Sequence, residues 1–200
     1  MAINWDQFAL NFLQKAELNS RDELTQLVHS EGIRDWGQFC HFVKDLPYGR
    51  NTNRFDFSLV IREKRGSCSS KHALLKEVAE RNGIEGIQLI LGIYKMKVSN
   101  TPQIGDVLEK AGLDYVPEAH CYLRMNGVTL DLTSSSSNFN SIEKDIMLEK
   151  EILPEQVAEF KVAYHQEYIR QWIKDEKLQL SFDQLWELRE ACIANLSQIK

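Results

Sequence analysis

A chain of 200 residues that is 43% hydrophobic and 26% charged carries enough apolar side chain for one ordinary globular core, which excludes a disordered or fibrous polypeptide. Its 24 Lys and Arg against 29 Asp and Glu give a net charge of -5 and a pI near 5.6, so attraction to phosphate backbones is not its organising feature and nucleic acid is not an expected partner.

The N-terminus, Met1-Ala2-Ile3-Asn4-Trp5-Asp6, has no cationic stretch leading into an apolar one; no Sec-type signal is read, and a cytoplasmic location is expected. Residues 1–46 read as a helical cap. Asn4 is placed to cap a helix carrying Phe8, Phe12 and Leu13, and Ser20-Arg21-Asp22-Glu23 has the form of a capping box leading into Leu24, Leu27 and Val28, with Gly32 as its stop. From Asp35 to Asp45 the spacing sets Trp36, Phe39, Cys40 and Val43 on one helical face before Pro47. A loop follows, Pro47-Tyr48-Gly49-Arg50-Asn51-Thr52-Asn53-Arg54, and Phe55 to Arg62 is too short for periodicity to assign.

A helix is predicted from about Cys68, with Ala73, Leu74, Val78 and Ala79 on one stripe and Asn82-Gly83 as its end. Three β-prone runs come next: Ile87 to Val98, His120 to Met125, and Val128 to Leu132. The first is broken by Gln88, Lys95 and Lys97 and is shorter than the ~20 residues a bilayer needs, so no membrane partner is expected. The last two are joined by Asn126-Gly127, a strong hairpin signal. Ser134 to Asn138 is a polar loop. Amphipathic helices return from Pro154 to about Lys177 and from Ser181 to about Leu196, where Tyr164, Tyr168, Trp172 and Trp186 have spacings that suit packing. No repeat or composition break divides the chain. One α+β domain over 1–200 is expected, with a cap at 1–46, a core at 55–135 and C-terminal helices at 154–198.

The four cysteines, Cys40, Cys68, Cys121 and Cys192, form no C-x-x-C pair, which argues against a zinc ribbon, a thioredoxin-type motif or a disulfide framework. No metal or cofactor is called for. Cys68 stands apart: it follows Arg62, Lys64, Arg65 and Gly66 and sits where a helix N-terminus presents its positive dipole end, and both effects favour thiolate.

A thiolate nucleophile needs a base, and the base needs a group to hold its ring. With Asn126 and Gly127 as the loop, Met125 opposes Val128, Tyr122 faces Asp131, and His120 faces Thr133. His120, Tyr122, Arg124, Thr129, Asp131 and Thr133 then share one face; Cys121, Leu123, Met125, Val128, Leu130 and Leu132 share the other, which must be core. His120 and Asp131 become diagonal neighbours with Cα atoms roughly 7–8 Å apart, close enough for a hydrogen bond. His72 follows Cys68 by one helical turn on the same face and points away from the sulfur, so it is not the expected base. His120-Cys121 is no metal pair, because strand neighbours face opposite ways.

Gly66-Ser67-Cys68-Ser69-Ser70-Lys71-His72-Ala73 opening a helix, followed by His120 and Asp131 on consecutive strands, resembles the transglutaminase-like superfamily, whose core is similar to that of papain-like cysteine proteases. The resemblance covers about residues 55–135. It implies a Cys-bearing helix packed on a small antiparallel sheet. It also implies acyl transfer through a thioester, with Cys68 as nucleophile, His120 as base and acid, and Asp131 as orienter. For the oxyanion it suggests the Cys68 backbone N–H and a second donor, for which Asn51 and Asn53 are candidates. Where many members carry an aromatic after the cysteine, this chain has Ser69, and Asp131 lies in Leu-Asp-Leu-Thr rather than Asp-Pro-Thr or Asp-Ala-Thr. The expected substrate is a peptide, a protein or a small amide or ester. Hydrolysis, transamidation and acetyl transfer all remain open, as does a binding or scaffold protein that keeps the fold without turnover.

Overall fold

Asp22 opens the first helix of the structure, a computed structural model that describes residues 16–125 and 127–196; the helix expected after Asn4 and the hairpin residue Asn126 lie outside them. Helix α1 (Glu23–Ser30) is capped not by Ser20 but by Asp22, whose carboxylate accepts from the Leu24 and Thr25 N–H groups. A carboxylate there meets two orphan donors and the dipole together. Asp35 likewise caps α2 (Trp36–Asp45). The undecided segment contains a single turn, α3 (Leu59–Arg62).

Helix α4 (Cys68–Arg81) starts with a reciprocal cap, in which Ser67 Oγ accepts from the Ser70 N–H and Ser70 Oγ accepts from the Ser67 N–H. Asn82 and Gly83, the latter at φ +66°, end it. Gly66 is required by closeness rather than by its own backbone angle: a Cβ there would lie 2.7 Å from Lys71 Cγ and 3.1 Å from Ser70 Oγ. The close approach that glycine permits is therefore to the chain's own helix.

The four strands are β1 (Ile87–Met96), β2 (Val116–Met125), β3 (Val128–Leu130) and β4 (Ile146–Ile152), all antiparallel in the order β3-β2-β1-β4. A 3₁₀ turn at Pro102–Ile104 and helix α5 (Val107–Lys110) connect β1 to β2. Met125 pairs with Val128 and Leu123 with Leu130, the register that the turn dictates. Several boundaries differ from the sequence reading, among them the end of β1 at Met96 rather than Val98. Strand β2 begins at Val116 rather than His120 because Val116 to Ala119 pair with the far end of β1, a contact between segments distant in the chain. Strand β3 stops at Leu130 rather than Leu132. Strand β4 was not foreseen: its Glu149-Lys150-Glu151 centre is exposed, as suits a sheet edge, and leaves no apolar alternation to read. Pro154 opens a 3₁₀ turn, and helix α6 starts only at Glu159, running Glu159–Asp175 before α7 (Phe182–Leu196).

The architecture is α+β, with helices on both faces of the sheet. Leu89, Leu91 and Ile93 of β1 with Ala119, Cys121, Leu123 and Met125 of β2 pack against Val28, Trp36, Phe39, Val43, Leu74 and Val78. Each fully buried Leu, Ile or Val contributes about 1.5–3 kcal/mol relative to exposure. The opposite face carries Tyr94, Met96 and Val116 against Ile169, Trp172, Leu185, Cys192 and Ile193 of the C-terminal helices. Gly92, which faces His120, lets Tyr122 lie across β1, since a Cβ there would meet the phenol oxygen at 2.7 Å. The Tyr122 hydroxyl then donates to Glu149 of β4 at 2.5 Å. No described helix is long and apolar enough to cross a membrane.

Candidate active site

Because β3 ends at Leu130, the stretch of β2 from Val116 to Tyr122 has no strand beside it on that edge, and the N-terminus of α4 occupies the gap. Cys68 is the first residue of α4, and the nearby Cys121 backbone N–H helps to favour charge on its sulfur. His120 Nε2 is 2.9 Å from Asp131 Oδ2, so the imidazole nitrogen left to interact with the sulfur is Nδ1. The rings of Tyr94 and Tyr122 flank the imidazole at centroid distances of 6.1 and 5.9 Å.

Two side chains one turn beyond Cys68 explain why β3 stops short. His72 Nε2 accepts the Leu132 N–H at 2.8 Å, while its Nδ1 meets the Cys68 carbonyl at 2.7 Å, so the proton is on Nδ1 and the ring is neutral. Burial pulls His72 down to about 4, which keeps that tautomer at neutral pH. Lys71, fully buried, donates to the Thr133 carbonyl at 2.7 Å and to the Leu46 carbonyl at 2.5 Å. The Thr133 N–H goes to Asp131 Oδ1 at 3.1 Å. The backbone after Leu130 therefore spends its hydrogen bonds on α4 and on Asp131, which sets the carboxylate beside His120.

Charge in this cluster is mutually held. Burial would push the Cys68 thiol up, but the Lys161 ammonium, the His120 imidazolium and the Cys121 N–H bring it down to about 6. His120, which burial alone would lower, is raised well above 6.5 by Asp131 and by the sulfur. Asp131, despite burial, is held well below the usual carboxylate range, mainly by His120. Burial pushes the other thiols up, Cys192 to about 11 and Cys40 and Cys121 also upward.

The cations upstream of Cys68 are engaged elsewhere. Lys64 pairs with Glu31, Arg65 lies 3.5 Å from Glu63, and Arg62 donates to Ser58 Oγ. Their place is taken by Lys161 of α6, whose ammonium is 3.7 Å from Cys68 Sγ and 2.6 Å from Ser69 Oγ. Neither asparagine is turned to the sulfur: Asn51 lines the cavity but spends its amide on its own loop, and Asn53 is exposed and outside the cavity wall. Asn51 gives its amide N–H groups to the Leu59 and Arg65 carbonyls and to Glu63, and Asn53 Oδ1 accepts the Phe55 N–H in a local turn. The loop hydrogen-bonding demands of residues 51–65 outcompete the site.

A cavity of about 400 Å³ opens over Cys68, walled by Tyr48, Ser69, Lys161, His165, Trp186 and Arg189 among others. Trp186, expected to serve packing alone, is part of that wall. Tyr48 reaches it because the backbone on either side of it is held to Gly66, with Gly49 N–H donating to the Gly66 carbonyl at 3.2 Å and Gly66 N–H to the Pro47 carbonyl at 3.1 Å. In the cavity wall, Arg189 of α7 grips Glu118 of β2 through two hydrogen bonds of 2.6 Å, both residues buried. Removing one member leaves an uncompensated buried charge, so Arg189→Met is expected to cost about 3–5 kcal/mol in urea unfolding. A loss below ~1 kcal/mol would show that this pair does not hold α7 to the sheet.

Lys161 and His165 escaped the sequence reading although a signal was present. With Ile169 and Trp172 they form the buried stripe of α6, and two ionisable residues on an inward stripe mark a functional face. Among the described residues no group of three or more His, Cys, Asp or Glu side chains is arranged to hold a metal ion. No family model, curated protein or solved structure matches the chain.

Proposed function

We propose that this chain is a cysteine-dependent acyl-transfer enzyme with a transglutaminase-like, papain-like core, acting on an amide or ester. The observation that carries the reading is the charged cluster at the start of α4: a thiol lowered to about 6 beside an imidazole that is itself 2.9 Å from a buried carboxylate. A structural cysteine in the same degree of burial has its thiol raised, as Cys40, Cys121 and Cys192 do.

The Cys68 thiolate attacks the carbonyl carbon, a C–S bond forms, and the carbonyl π pair moves to oxygen. When the intermediate collapses, the C–N or C–O bond breaks and the leaving group takes the proton that His120 carried. The neutral imidazole next removes a proton from water or an amine, whose attack on the thioester restores thiolate and imidazolium. Asp131 keeps the ring in place and supports its charge throughout. The cavity volume of about 400 Å³ lies in the lower part of the range for small-ligand sites and suits a small acyl group or one side chain of a peptide.

The deciding experiment is alkylation by iodoacetamide as a function of pH, read residue by residue in mass spectra. Cys68 is expected to react with a half-maximal rate near pH 6 and to outpace Cys40, Cys121 and Cys192 at neutral pH. Below that pH the rate should fall tenfold per unit, because the protonated thiol is not the nucleophile. A Cys68 titration near the ordinary thiol value of 9.0 would overturn the reading and leave a binding protein.

A further inference from the structure

Lys161 is more than a counter-charge. Its residue is only 9% exposed, and a buried ammonium is costly unless hydrogen-bond acceptors or negative charge compensate it. The nearby carboxylate, Glu118, is already gripped by Arg189. What Lys161 meets directly is Ser69 Oγ at 2.6 Å and Cys68 Sγ at 3.7 Å. Burial would lower this ammonium, yet the charge of Cys68 and Glu118 raises it, so it stays protonated.

The contact to sulfur is a long one, and its length has a mechanistic meaning. When the thiolate attacks a carbonyl, its lone pair becomes the C–S bond and the negative charge moves to an oxygen two bonds away. An oxygen accepts from an ammonium at about 2.7–3.1 Å, much closer than sulfur does here. The interaction thus strengthens as the charge moves, which is the condition for lowering a barrier rather than tightening the ground state. Resting on the acyl-transfer reading, we propose that Lys161 is a catalytic residue: its ammonium, seated by Ser69 beside the Cys68 sulfur, receives the oxyanion formed during acylation. It supplies the second donor, with the Cys68 backbone N–H at the helix start as the first, that Asn51 and Asn53 do not provide.

Two probes of the same thiolate separate this role from simple charge pairing. p-Nitrophenyl acetate acylates Cys68 through an oxyanion, whereas iodoacetamide alkylates it by displacement at saturated carbon and forms none. Both rates are measured on the full chain at a pH above the thiol titration of each variant, so that thiolate content cancels. In Lys161→Met the ratio of acylation to alkylation is expected to fall about 100-fold or more, and in Lys161→Arg to stay within a few-fold of the native ratio. If Lys161→Met does not fold by circular dichroism, Lys161→Gln is read against Lys161→Arg in its place. An unchanged ratio in the neutral variant overturns the proposal alone. Absence of any acetyl adduct on native Cys68 overturns the acyl-transfer reading and this proposal with it.

Discussion

Replacing Cys68 with alanine is expected to abolish acyl transfer, a loss of about six orders of magnitude of the size seen when a covalent nucleophile is removed. The side chain is small, its sulfur accepts from Lys161, and it belongs to neither apolar cluster, so the fold should persist in the variant. The remaining thiols cannot substitute. Cys121 points to the opposite face of β2, into the core, and Cys40 and Cys192 are buried in the two separate helical layers. The check is turnover of a panel of amide, ester and glutamine substrates, together with loss of the acetyl adduct from p-nitrophenyl acetate. Retained activity in Cys68→Ala would exclude covalent catalysis at this site.

Asp131→Ala is expected to lower kcat by about 10³–10⁴ while changing KM only a few-fold, because this carboxylate holds the base and does not line the cavity. One oxygen accepts from His120 and the other from the Thr133 N–H, so alanine frees both the ring and the loop. With the largest source of its raised basicity gone, His120 becomes neutral at lower pH, and the Cys68 titration moves upward as its imidazolium partner is lost. Asp131→Asn keeps an acceptor without the charge and should fall between the two. Stability changes in the same sense. Asp131 is depressed in the fold, so its contribution is present above its ordinary value of 3.8 and disappears as pH falls toward the folded value. The alanine variant should therefore lose part of the native stability gain on going from acid to neutral pH. An equal effect on kcat and KM, or an unmoved Cys68 titration, would show that Asp131 does not act through His120.

His72 shows how a residue can matter to this site without chemistry. It reads as a bystander in sequence, and in the structure both of its ring nitrogens are engaged by backbone groups. The two nitrogens join the Cys68 carbonyl to the Leu132 N–H, tying the helix that starts at Cys68 to the loop that carries Asp131.

What the chain determines by itself is local. Ser67 and Asn82-Gly83 delimit α4 because capping depends on atoms a few residues apart, and Asn126-Gly127 with the period of two pairs Met125 with Val128, while the final placing of Asp131 beside His120 also needs the contacts of α4 with the loop after Leu130. The same locality misled where charges were counted by nearness in sequence: Lys64 and Arg65 precede Cys68 but turn to Glu31 and Glu63. Only the tertiary structure decided which cation faces the sulfur, since Lys161 comes from a helix 93 residues further along the chain. It also decided that Glu149-Lys150-Glu151 forms an edge strand, and that Lys161 and His165 of α6 meet Trp186 and Arg189 of α7 in the cavity wall. Propensity and periodicity act over a turn or a strand, whereas the charges that tune Cys68 meet through space, where distance and burial, not order along the chain, set their strength.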